Sequence, residues 1–130
     1  MEKLLIVDDE EIELDGMAEL IDWPSYGYEL VGTAINGKRG LALIQEKQPD
    51  IVITDIKMPV MDGMSALQII HARWPKTQII LLSGHADMQL AVQAMSEGAF
   101  GYLMKPVDID ELLFKIEDAV TQIRLEAGQG

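Results

Sequence analysis

Cysteine is absent from the 130-residue sequence, which excludes disulfides, thiol catalysis and cysteine-ligated metals. That absence fits a reducing compartment, and we expect a cytoplasmic protein. No apolar run approaches the ~20 residues of a membrane-spanning helix. Met1-Glu2-Lys3 leads straight into a strand pattern, without the basic and apolar regions of a signal peptide. A soluble chain with no membrane partner is expected. Basic residues are also few: 10 Lys and Arg against 22 Asp and Glu leave a net charge of −12. Gripping nucleic acid takes clustered Lys and Arg at the phosphates, so no direct nucleic-acid binding by this chain is expected. The 2 histidines, His71 and His85, have no companion at metal-ligand spacing. An acidic balance by itself suits a basic or cationic partner, a metal ion among them, and the placement of the acids decides which.

What is present is a core. Hydrophobic residues make up 48% of a length that suits one domain. Its centre is Asp50 to Pro59, where the β-branched run Ile51-Val52-Ile53-Thr54 leads into Asp55 and Pro59 stops the extended chain. Such a near-continuous apolar run predicts a parallel strand covered on both faces. Similar runs occur at Lys3–Val7, Tyr28–Ala34, Gln78–Ser83 and Gly101–Met104. Between them the apolar residues recur at helical spacing: Leu14, Met17, Ala18 and Ile21; Leu41 and Ile44 within 38–48; Leu67, Ile70 and Trp74; Met88, Ala91, Val92 and Met95; and Ile109, Leu112, Leu113, Ile116, Val120 and Ile123. Asn36-Gly37 reads as a turn, Asp62 as an N-cap, Glu97-Gly98 as a helix end, and Asp108 with Glu111 as a capping-box start. Trp23 reads as an apolar anchor beneath the loop before the second strand. Strands alternating with helices predict a doubly wound α/β fold: a five-stranded parallel sheet with five flanking helices and right-handed crossovers. Residues 1–124 are expected to form the domain, and 125–130 a disordered tail or appended remnant.

In such a sheet every strand points its carboxyl end at one edge, where ligands bind. The first strand delivers Asp8 and Asp9 there, the third Asp55, the fourth Ser83 and the fifth Lys105. Acids in a first helical turn are ordinarily explained as capping, but two adjacent acids before the cap exceed that need. If the first and third strands are neighbours, ~4.8 Å apart, their carboxylates crowd one volume and repel unless a cation joins them. Mg²⁺ suits the place, being a hard ion that takes one or two carboxylates, keeps waters and accepts a phosphate oxygen. Asp55 would then be a carboxylate nucleophile for phosphorus, with the equatorial oxygens met by Mg²⁺, by the Lys105 ammonium and by the Ser83 hydroxyl or loop amides.

Asp8-Asp9, Asp55-Ile56-Lys57-Met58-Pro59, Asp62-Gly63, Ser83-Gly84 and Gly101-Tyr102-Leu103-Met104-Lys105-Pro106 follow one another as they do in a known family. The chain resembles the receiver (CheY-like) domain of two-component response regulators from about Lys3 to Ile123. The resemblance implies the flavodoxin-like strand order 2-1-3-4-5 and a signalling phosphoacceptor that catalyses only its own phosphorylation and dephosphorylation. It implies Asp55 as phosphoacceptor from a sensor histidine kinase. Mg²⁺, or Mn²⁺, would be held by Asp9 and Asp55, by the Lys57 backbone carbonyl and by Asp8 through water. Ser83 and Lys105 would contact the phosphoryl group, and Ser83 and Tyr102 would form the switch that remodels the surface of the fourth helix, fifth strand and fifth helix. A cis Lys105-Pro106 bond and homodimerisation on phosphorylation are implied too. Lys57 and His85 stand where the family varies and tunes phosphoryl lifetime. The segment from Trp23 to Tyr28, with Lys57, resembles receivers joined to AraC-type helix-turn-helix output domains, so DNA would be reached through a C-terminal output domain.

Two other classes compete. A haloacid-dehalogenase-type phosphatase also forms an aspartyl phosphate, but it wants Asp-x-Asp, and Lys57 stands two residues after Asp55. A pseudo-receiver, a phosphorylation-independent interaction module, usually lacks one of the key residues, and here all are present.

Overall fold

In a computed structural model, which describes residues 1–58 and 63–129, the chain forms one parallel sheet in the order β2-β1-β3-β4-β5. Its strands are β1 (Glu2–Val7), β2 (Tyr28–Ala34), β3 (Ile51–Asp55), β4 (Gln78–Ser83) and β5 (Gly101–Met104). The helices between and after them are α1 (Glu11–Leu20), α2 (Gly37–Lys47), α3 (Gly63–Arg73), α4 (Met88–Ser96) and α5 (Ile109–Gln129). The fold class is the one expected from the sequence pattern, and the strand order and the cis Lys105-Pro106 bond are those the family resemblance implies.

Alternation along each strand splits the core in two. Leu4, Ile6, Ile51, Ile53, Ile80 and Leu82 face one way and pack with Leu14 and Met17 of α1 and Leu112, Ile116 and Val120 of α5. Leu5, Val7, Val52, Ile79 and Leu81 face the other way, towards Ile44 of α2, Leu67 and Ile70 of α3, and Ala91 and Ala94 of α4. Both faces are therefore covered, which is why the central strands read as unbroken apolar runs. Trp23 is buried in the first cluster, within a short 3₁₀ turn over Trp23–Tyr26.

Several local expectations give way. Asn36-Gly37 is not a free turn: the Asn36 side chain accepts the Arg39 N–H at 2.9 Å and caps α2, which therefore starts at Gly37. In α4, Val92 and Met95 are exposed, because the helix approaches the sheet through Ala91 and Ala94 and turns the larger side chains outward. Ile109, at the first residue of α5, is exposed too, since the helix reaches the core only from Leu112 onward. Leu41 and Trp74 are half-buried. Residues 125–129 continue α5 instead of fraying: Leu125-Glu126-Ala127 are good helix formers, and Gln122 Nε2 donates to Glu126 Oε1 at 3.0 Å. At the other end of α5 the Glu111 N–H donates to Asp108 Oδ1 at 3.1 Å, the expected cap. The Asp62 cap lies outside the described residues. Among the described residues, no helix is long and apolar enough to cross a membrane.

The approach of α2 to β1 positions the site edge. A Cβ on Gly40 would stand 2.9 Å from Val7 Cγ2, and Val7 is the residue that delivers Asp8. Gly40→Val should therefore destabilise the domain by about 2 kcal/mol or more, the cost of overpacking outweighing any helix-propensity gain. Gly16→Ala, whose Cβ would meet only Leu20 Cδ1 at 4.0 Å, should stabilise by ~0.5–1 kcal/mol. Urea unfolding midpoints of the two variants should move in opposite directions.

Candidate functional site

The register brings the strand ends level. Val7 lies beside Thr54, so Asp8 and Asp55 leave adjacent strands at the same height. Asp55 lies beside Leu82 and Ser83 beside Met104, so Ser83 follows one residue further out and Lys105 two. Backbone bonds continue the ladder past the last paired residues: Asp8 N–H donates to the Ala34 carbonyl at 3.0 Å, Ile56 N–H to Leu82 at 2.9 Å, and Lys105 N–H to Ser83 at 2.9 Å. The side chains are thus held by rigid strand ends rather than by free loops.

Asp8, Asp9 and Asp55 each offer a carboxylate oxygen within 4.8 Å of the others. Asp8 and Asp55 are buried and Asp9 is exposed, so the cluster opens to solvent on one side. Lys105 Nζ is 2.9 Å from Asp55 Oδ2 and 3.8 Å from Asp8 Oδ1. Burial alone would lower the Lys105 pKa; the hydrogen bond and charge of Asp55, with Asp8 and Glu13, reverse that and hold the ammonium form. Asp8 shows the opposite balance. Burial, aided by the Asp55 and Glu13 carboxylates, pushes it up to about 7, although the Glu10 N–H and Lys105 favour its charged form. Asp8 Oδ1 accepts that Glu10 N–H at 3.0 Å, while Oδ2 is buried with no hydrogen-bond partner. A buried carboxylate oxygen without a donor, in a cluster of three acids and one amine, is an arrangement that could hold a hard cation with oxygen ligands.

The other residues singled out from the sequence are less converged. Asp55 Oδ1 accepts the Lys57 N–H at 3.3 Å, and the Lys57 side chain turns away to Asp87 Oδ1 at 3.2 Å. Ser83 is fully buried, and its hydroxyl donates to the Gly84 carbonyl at 3.1 Å. Tyr102 is half-buried against the α3–α4 side of the core. Sequence reasoning missed Glu10 and Glu13, whose carboxylates lie 3.6 and 3.5 Å from Lys105 Nζ. Glu10 stands just before α1, where the helix dipole alone accounts for an acid. Glu13 precedes the buried Leu14, and an acid bordering the apolar stripe was the available signal.

Known proteins with these features agree. The family model described as the response regulator receiver domain matches residues 4–117. The uncharacterized transcriptional regulatory protein YesN of Bacillus subtilis strain 168 is 42% identical over 124 residues, which are 95% of this chain and 34% of that protein. The chain thus spans about a third of that relative's length. A crystal structure of a response regulator receiver domain protein from Clostridium thermocellum is 37% identical with a TM-score of 0.85, covering 96% of this chain and 98% of the other. A CheY-like receiver domain protein from Methanospirillum hungatei is 32% identical with a TM-score of 0.87, over 97% and 98% of the two chains. With the family model matching most of the chain and the strand order agreeing, the chain belongs to the receiver-domain family of two-component response regulators.

Proposed function

We propose that Asp55 accepts a phosphoryl group from the phosphohistidine of a sensor histidine kinase, and that Asp8 and Asp9 with Asp55 and the Lys57 carbonyl hold Mg²⁺, or Mn²⁺, for that step. The observation that carries this reading is the three-carboxylate cluster with Lys105 Nζ 2.9 Å from Asp55 Oδ2. An Asp55 oxygen attacks phosphorus in line, the P–N bond to the histidine breaks, and its electron pair leaves with the imidazole. A metal ion held by Asp8, Asp9, Asp55 and the Lys57 carbonyl would supply positive charge against the crowded acids and the charge that develops on the transferring group. Lys105 meets a second oxygen, its ammonium form already secured by its neighbours. Ser83 rotates from the Gly84 carbonyl to a third, and Tyr102 follows it inward. The surface of α4, β5 and α5 is then the output face. Exposed Val92 and Met95 on α4 and Phe114 on α5 support a face made for a partner, a second copy of the chain being the natural one. Transcription would be controlled through a DNA-binding output domain in the same protein, and the absence of cysteine suits a cytoplasmic setting.

Without the ion the site destabilises the fold. The Asp8 carboxyl titrates near 7 in the folded chain against 3.8 ordinarily. The folded state therefore keeps a proton that the unfolded chain has released, and stability falls as pH rises across that window. At 1.36 kcal/mol per unit the loss approaches ~4 kcal/mol as an upper figure. In chelator, Asp8→Asn should remove this slope between about pH 4 and 7, read from unfolding midpoints. An identical slope in both proteins would mean that Asp8 is not the group. Intact mass after incubation with acetyl phosphate and Mg²⁺ should show one added phosphoryl group, lost in Asp55→Asn and in chelator. Lys105→Ala should still bind Mg²⁺ while responding weakly to phosphorylation. No adduct on a folded wild-type protein would return the reading to an interaction module that never takes phosphate.

A further inference from the structure

We infer that Glu13 is a positioning residue that competes with the phosphoryl group for Lys105 and so restrains phosphorylation by small anionic donors. The inference rests on the proposed role of Asp55 and Lys105. Lys105 is the only cation paired with the cluster among the described residues, yet its ammonium meets four carboxylates: Asp55 at 2.9 Å, Glu13 at 3.5 Å, Glu10 at 3.6 Å and Asp8 at 3.8 Å. Two of these, Asp8 and Asp55, belong to the proposed metal-binding set. Glu10 and Glu13 do not, and they approach from the α1 side.

They differ in burial. The Glu10 side chain is 64% exposed, so water screens its pull on the amine. The Glu13 side chain is 23% exposed and Lys105 17%, so their attraction is less screened. Glu13 Oε1 is buried without a hydrogen-bond partner, which leaves this carboxylate short of donors and dependent on Lys105. Glu13 sits on the third residue of α1, and its backbone is fixed by the packing of the next residue, Leu14, into the core. It cannot follow Lys105 far. When a phosphoryl group is offered at Asp55, the amine must turn towards its oxygens, and Glu13 holds it back towards α1. The same carboxylate also repels an approaching dianion.

Helix-dipole and capping effects supply an alternative reason for an acid here, since Glu11 and Glu13 both occupy the first turn of α1. The two accounts separate by experiment. Glu11→Gln removes the same charge from the same turn, at an exposed position. Glu13→Asp keeps the charge.

The test is a time course of intact mass with acetyl phosphate at saturating Mg²⁺, in which Asp55 gains the phosphoryl group and acetate leaves with the electron pair of the broken P–O bond. Glu13→Gln should phosphorylate at least about threefold faster than wild type, the scale of losing one partly screened ion pair. Glu11→Gln and Glu13→Asp should stay near the wild-type rate, and Lys105→Ala should abolish the gain from Glu13→Gln. A second arm needs no phosphotransfer: acylation of lysines by an N-hydroxysuccinimide ester, followed by peptide mass. Lys105 should react several-fold faster in Glu13→Gln, with Lys38 and Lys76 unchanged. If Lys105 reactivity is the same in wild type and Glu13→Gln, or if Glu13→Gln phosphorylates no faster than Glu11→Gln, the inference is overturned. If wild type takes no phosphoryl group while Lys105 reactivity rises in Glu13→Gln, the function proposed for Asp55 fails and the clasp on Lys105 stands.

Discussion

The molecule turns on the repulsion of carboxylates placed side by side where two buried strands end. Coulomb repulsion at such distances is strong away from bulk water, and a chain that only had to fold would avoid it. Here it is built in by register: β1 and β3 are neighbours, and each delivers an acid at the same level. Everything nearby answers that repulsion in some way. Lys105 pairs with Asp55, the Glu10 and Lys57 N–H groups donate to Asp8 and Asp55, and Asp8 retains its proton to a higher pH than a free acid would. What remains unanswered at the two strand ends is Asp8 Oδ2, with Glu13 Oε1 a second buried oxygen beside Lys105, and on the proposed function that remainder is where a cation would be received.

Rigid strands make this arrangement possible. A loop would let the acids drift apart and relax, whereas strands bonded on both sides and covered by helices cannot. The two core clusters thus have a role beyond stability, since they hold the charges in a place the charges would leave. The small residues of α2 and α4 serve the same end. Gly40 lets α2 sit close over Val7, and Ala91 with Ala94 lets α4 sit close over the sheet.

Most of the fold was legible because its signals are local and repeated. Apolar runs, helical spacing and stop residues locate β2, β4 and β5 to the residue. The strand-end acids and amine were legible for the same reason, since a parallel sheet sends all such ends to one edge. What local pattern does not carry is the direction a side chain takes across space. Val92 and Met95 match a buried stripe by spacing, yet the helix rolls onto its alanines. Ser83 was placed correctly on its strand, but its hydroxyl donates to the carbonyl of the next residue, Gly84. Glu13 reaches Lys105 across 92 residues of sequence (105 − 13), a contact no window along the chain displays.

That long reach has a consequence for how the protein comes into being. Asp55 and Lys105 are 50 residues apart in the chain, and they meet only after β4 is laid beside β3 and β5 beside β4. Until the last strand docks, Asp55 is an ordinary solvated acid with no amine at hand. On the proposed function, a growing or partly unfolded chain would lack this chemistry, and the completed sheet would itself be the licence to respond.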